Sequence, residues 1–260
     1  MKQKKSKRLT KILLALDGSE ISRNTANTSI EVAKLFCLKI LGLYVVDEEL
    51  VVNDYADYQK ELGLEKLSLS RPKKEALFET RGREILQWLK SRCEESGVRV
   101  TTEIGVGGVW DMTLIHAKEA SLLALGRRGN GHPAEPNYLG TNFRHIAHRL
   151  NIPLFVGGDK VPQIKKILLA YNGEGRAQKA LAWAKKFQDH ASCELITLVV
   201  RENNKPDSNK DWLEEIKSQL HRSQIGDFQL IIKRGDPSDQ IVKVAIKTES
   251  NLIIMGGYRH

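Results

Sequence analysis

The segment GRRGNGHPAEPNYLGTN, running from Gly126 to Asn142, sets four glycines, two arginines and two prolines between a strand-like run, SLLALG, and a helix-like one, FRHIAHRL. Glycine lets a backbone approach a ligand closely, and a helix start offers unpaired N–H groups carrying partial positive charge, so a loop of this kind can seat a phosphate. Gly126 and Gly129 open the loop, while Gly140, Thr141 and Asn142 stand where the helix would begin. The Thr141 hydroxyl can donate to a phosphate or cap the helix. Arg127 and Arg128 can fork onto phosphate oxygens or face solvent, and His132 falls in the same loop. The glycine-lysine signature of a Walker loop is missing, so any nucleotide is held by another geometry.

Asp17 is the other chemical residue of interest, since it ends the apolar run KILLAL, where ligands of a parallel sheet sit. With Gly18 and Ser19 it can equally form a turn and a helix cap. His145 and His148, three apart on a helical stretch, can share a face, but no nearby cysteine or carboxylate completes a metal set. Asp236 before Pro237 reads mainly as a helix start. Neither a nucleophile elbow nor a CxxC pair occurs. Trp88, Trp110, Trp183 and Trp212 fall in amphipathic helical patterns and read as core or interface anchors.

The elements that must position these residues occur twice. KILLALDG at 11–18 matches KILLAYNG at 166–173, and the spacing from Gly105 to Gly126 equals that from Gly235 to Gly256. Tandem duplication explains both. In each copy, near-continuous apolar runs alternate with amphipathic helical stretches, which predicts parallel sheets covered on both faces. The fold class is therefore α/β, two tandem doubly wound, Rossmann-like domains. Copy two reads as lacking the last strand, since the chain stops at GGYRH, whereas copy one continues through its glycine loop, a helix and IPLFVG. The predicted organisation is a basic tail at 1–9, a first domain at 10–160 and an incomplete second domain at 161–260. An insertion at 47–81 in copy one reads as one or two short helices serving as a lid or a partner surface.

KILLALDGSEISRNT, KILLAYNGEGRAQKAL, LGLYVVD, RGDPSDQIVKVA, NLIIMGGYRH and the glycine loop, in that order, resemble the universal stress protein family in its tandem form. The resemblance implies an adenine-nucleotide-alpha-hydrolase-like fold and, in members that bind ATP, a signature of glycine, two residues, glycine, nine residues, then glycine with serine or threonine. Gly126, Gly129, Gly140 and Thr141 match it, although the gap NGHPAEPNYL is ten residues long and carries Pro133 and Pro136. By the same resemblance, Asp17 lies in an adenosine pocket and the backbone near Val45 meets adenine. ATP or AMP, with Mg2+ as an accompanying ion and at most slow hydrolysis, is the expected ligand of the first copy. The alternative is a protein-interaction module of the same fold that binds no nucleotide. In copy two, Asn172 replaces Asp17 and Arg259 stands where Gly129 would pair. The resemblance further implies dimers through the last strand, or a pseudo-dimer of the two halves.

Composition bounds these readings. Among 260 residues, 41 Lys and Arg against 32 Asp and Glu give a net charge of +9. Lys2, Lys4, Lys5, Lys7 and Arg8 concentrate part of it in a tail without aromatic residues, which reads as solvated and not as a nucleic-acid arm. Apolar runs all fall short of the ~20 residues of a membrane span. Three scattered cysteines read as buried free thiols of a cytoplasmic protein, without disulfides or zinc.

Overall fold

The computed structural model describes residues 9–52, 70–129, 140–201 and 210–257. The chain divides into two compact units, Met1–Val161 and Pro162–His260. Residues 1–8 of the basic tail, residues 53–69 of the insertion, His132, both loop prolines and Arg259 fall outside the described residues.

Unit 1 runs β1 (Lys11–Leu16), α1 (Glu20–Leu35), β2 (Lys39–Asp47), α2 (Glu48–Val52), α3 (Arg71–Glu95), β3 (Val100–Gly107), α4 (Val109–Ala117), β4 (Leu122–Gly126), α5 (Thr141–Arg149) and β5 (Leu154–Gly157). Its strands form one parallel sheet in the order β3-β2-β1-β4-β5. Both faces of the central strands are dry. Leu13, Leu41, Leu43, Leu123 and Leu125 meet Ala117 and Ile146 of α4 and α5, while Ile12, Leu14 and Ile40 point the other way and are fully buried. Each buried leucine contributes about 1.5–3 kcal/mol, so these runs carry no alternation because neither face has a solvent side.

Helix α1 starts on Ser19, whose Oγ accepts from Ser22 N at 3.1 Å, with Glu20 in its first turn and Lys34 in its last, both favourable to the helix dipole. Its buried face mixes Ile21, Ile30 and Val32 with the small Ser22, Thr25, Ala26 and Ser29. The Thr25 and Thr28 hydroxyls are satisfied by the carbonyls of Ile21 and Asn24. This lets the helix lie close on β5, where a Cβ on Gly157 would stand 2.6 Å from Thr25 Cβ. The sequence pattern predicts a helix from residue 75; α3 begins instead at Arg71, with Pro72 in its first turn, where the missing N–H costs nothing.

Unit 2 repeats the plan with β6 (Lys166–Ala170), α6 (Gly175–His190), β7 (Glu194–Arg201), α7 (Lys210–Arg222), β8 (Gln229–Arg234), α8 (Pro237–Lys247) and β9 (Leu252–Met255), in the sheet order β8-β7-β6-β9. The fifth strand is missing from its described residues. The two sheets share a register, with Leu13 paired to Leu123 in the first and Leu168 to Ile253 in the second. Leu123 and Leu125 are 0% and 7% exposed, but their counterparts Ile253 and Met255 are 40% and 51% exposed. In unit 1, helix α5 covers that ground.

The structure shifts one pairing of the repeat. Gly107 and Gly235, at φ +139° and +128°, each immediately precede the cap of the following helix, Gly108 and Asp236. Gly107, not Gly105, is thus the counterpart of Gly235, and the two extra residues of copy two lie in its longer α8. The thiols also differ from expectation: Cys93 alone is buried and its pKa is pushed up to about 11 by burial, whereas Cys37 is exposed.

Candidate functional site

In the first sheet the strand order reverses between β1 and β4, and a crevice opens beyond their carboxyl ends at such a point. Asp17 follows β1 there. Its Oδ1 accepts from Ser19 N at 2.9 Å and Ser19 Oγ at 2.7 Å, so the turn-and-cap role is realised. Its other oxygen, Oδ2, lies 2.7 Å from where a Gly129 Cβ would stand. Only glycine at 129 lets the loop cross this close to the carboxylate. Gly18 between them sits at φ +83° with Ile85 against it, a conformation and a space that suit glycine alone.

The two ends of the glycine loop meet. Gly126 ends β4 paired with Gly157 of β5, Arg127 N donates to Gly157 O at 3.3 Å, and Gly140 N donates to Arg127 O at 3.3 Å. The Cβ position of Gly140 is 3.8 Å from Arg128 Cα. The extra residue and the two prolines of the gap therefore leave its two ends joined. Gly140, buried, is the cap residue of α5, and among the described residues no side chain caps that helix. The alternative of Thr141 as cap is corrected: Thr141 and Asn142 are the first two helical residues, exposed, with N–H groups that belong to the unsatisfied first turn.

Arg127 and Arg128 do not simply face solvent. Arg127 Nη2 donates to Asp159 Oδ2 at 2.6 Å, and Arg128 Nη2 lies 3.8 Å from Asp159 Oδ1. Val45 sends its side chain into the core beside Leu43. The ladder between β1 and β2 ends at Leu16 with Tyr44, whereas β3 accompanies β2 to Asp47. The β1-side backbone edge from Val45 onward is thus outside the β1–β2 ladder.

Sequence reasoning missed Asp159, Tyr44 and Arg81. Tyr44 packs its ring against Gly82 of α3. Burial pushes its phenol up to about 12, opposed by the neighbouring Arg81 guanidinium and reinforced by Asp17. Arg81 Nη2 comes within 3.6 Å of the Gly18 Cβ position. Asp47, at the end of β2, is also raised, first by burial and then offset by the Glu49 N–H it accepts. The alternation of β2 turns Tyr44 away from Val45 and toward α3, which is the one sequence signal that points to it.

Unit 2 keeps the turn and loses the charge. Gly173 adopts φ +82° and Asn172 Oδ1 accepts from Glu174 N at 3.1 Å, the Asp17 arrangement without its carboxylate. Tyr171 O–H donates to Gln219 Oε1 at 2.6 Å and accepts from Gln178 at 2.5 Å. Elsewhere, His145 stacks on Trp110 with centroids 5.7 Å apart, and Arg149 lies over the same ring. Asp236 caps α8 by accepting from Asp239 N. Among the described residues no three His, Cys, Asp or Glu gather as a metal set, and no helix is long and apolar enough to cross a membrane.

The model of the universal stress protein family matches residues 9–156 and 163–260, one match for each unit. The chain belongs to the universal stress protein family. Its tandem form follows from the double match. A curated universal stress protein of Methanocaldococcus jannaschii is 31% identical over 121 residues; the match takes in 46% of this chain and 65% of that relative's length. Among solved structures, a universal stress protein of Archaeoglobus fulgidus aligns over 94% of this chain and 86% of its own, with a TM-score of 0.73 at 18% identity. A putative universal stress protein of Pseudomonas aeruginosa aligns over 94% and 81%, with a TM-score of 0.61 at 14% identity. At these identities the two structures speak for a shared fold alone.

Proposed function

We propose that unit 1 binds an adenine nucleotide, ATP or AMP, across the crevice between β1 and β4, as a stress-response or signalling module with at most slow hydrolysis. The joined ends of the glycine loop carry the reading: Gly129 is seated against the Asp17 carboxylate while Gly140 returns to Arg127 and begins α5 without a capping side chain among the described residues. The first-turn N–H groups of Thr141 and Asn142, with Arg127 and Arg128, would take the phosphates. Asp17 would accept from a ribose hydroxyl, and the edge of β2 at Val45 would meet the polar edge of adenine. A Mg2+ ion would be held mainly by the phosphates, with the Asp17 carboxylate at the same end of the sheet. Unit 2, with Asn172 for Asp17, does not share the role. The exposed Val156 on β5, at the edge of the first sheet, supports a homodimer formed through that strand.

Thermal unfolding with and without ATP tests the nucleotide reading. ATP at a hundred times its Kd stabilises the native unit by ~2.7 kcal/mol, and the midpoint rises by about 5–10 °C. An unchanged midpoint with ATP, ADP and AMP, each at millimolar concentration, would leave the protein-interaction alternative.

A further inference from the structure

Asp159 lies two residues past the end of β5, on the stretch that leads to the start of unit 2 at Pro162. Its carboxylate meets both loop arginines, at 2.6 Å and 3.8 Å, and its backbone oxygen accepts from Asn24 Nδ2 at 2.9 Å. The side chains of Arg127 and Arg128 are 25% and 19% exposed, that of Asp159 59%. The carboxylate thus approaches the guanidinium groups from the solvent side, the side from which a soluble anion arrives. Carboxylate and phosphate oxygens use the same N–H fork, so the two compete for it. A pair with one well-exposed partner is weak, and a phosphate carrying two charges has the advantage over a carboxylate carrying one.

We propose that Asp159 is a latch: it competes with phosphate for Arg127 and Arg128, so that a phosphate-bearing ligand frees the segment from Gly158 to Val161 that joins the two units. This rests on the reading of the glycine loop as a phosphate site and adds a consequence to it. Ligand occupancy in unit 1 becomes a change in the tether to unit 2. Gly158 makes the release local, because a Cβ there would meet nothing within 4 Å, and the segment has room to move.

The test uses the full chain with pyrophosphate as the probe, titrated by calorimetry, and deuterium uptake of the peptide covering residues 155–163. Asp159→Asn keeps the size of the side chain and removes its charge; it binds pyrophosphate about five- to tenfold more tightly, and its 155–163 uptake is fast with or without the anion. In the unsubstituted protein uptake there rises when pyrophosphate binds, and Asp159→Glu restores both the weaker binding and the slower uptake. Binding by Asp159→Asn alone also supports the latch. Pyrophosphate binding of equal strength in both proteins, with unchanged uptake, overturns the latch and leaves the phosphate site standing. Binding by neither protein overturns the phosphate site and the latch together.

Discussion

Replacing Gly129 with alanine sets a methyl group 2.7 Å from Asp17 Oδ2, about 0.7 Å short of ordinary contact. Asp17 cannot swing aside freely, because its other oxygen accepts from both the N–H and the hydroxyl of Ser19. Giving up those two bonds at a half-buried carboxylate costs about 1–2 kcal/mol, which lowers the midpoint of unit 1 by ~3–6 °C. The origin of the cost is separable by a double-mutant cycle. In an Asp17→Ala background the methyl has nothing to strike, so Gly129→Ala becomes nearly neutral and the coupling equals the original ~1–2 kcal/mol. Native-state hydrogen exchange at the buried amides of β1, Leu13 and Leu14, reads the stability of unit 1 for all four proteins without interference from unit 2. Equal cost of Gly129→Ala in both backgrounds would refute the seating of the loop on Asp17.

Two other outcomes follow from the same geometry. Burial raises the Tyr44 phenol from 10.0 to about 12, so the unfolded chain ionises first as pH climbs; the stability contributed by the neutral phenol is full below about pH 10 and is lost between there and pH 12. Unfolding measured from pH 9 to 12 should lose part of this slope in Tyr44→Phe, and an unchanged slope would discount the burial of Tyr44. For the homodimer, light scattering should give twice the chain mass, and Val156→Lys on β5 should return the protein to a monomer; a monomer before substitution counts against that edge.

The sheets were legible in the sequence because their strands are apolar on both faces, so that KILLAL, LKILGLYVV and SLLALG admit few other structures. The duplication was legible for the same reason. What the apolar pattern cannot carry is the meeting of residues brought together by register. Arg127 and Asp159 stand 32 positions apart and meet because β4 and β5 pair Gly126 with Gly157, which sets the two following turns side by side. Nothing in the local sequence of GRRG asks for a carboxylate from GGDK. Arg81 and Gly82 reach Tyr44 from α3, which follows the stretch where the two copies differ in length, so matching the repeat did not point to them. Glycine spacing misled for a related reason: it equated Gly105 with Gly235, whereas the backbone turn marks Gly107, because the helices that follow differ by two residues in length.

The matching turns at Gly18 and Gly173, one degree apart in φ, separate two demands that a single position often has to meet together. The bend that sends each chain from its first strand into its first helix depends on the glycine and on an oxygen acceptor one residue earlier, and asparagine supplies that acceptor as well as aspartate does. Charge at that place is therefore surplus to the architecture. A duplicated gene can discard it in one half without endangering the fold of that half, and each copy can specialise while its scaffold is inherited intact.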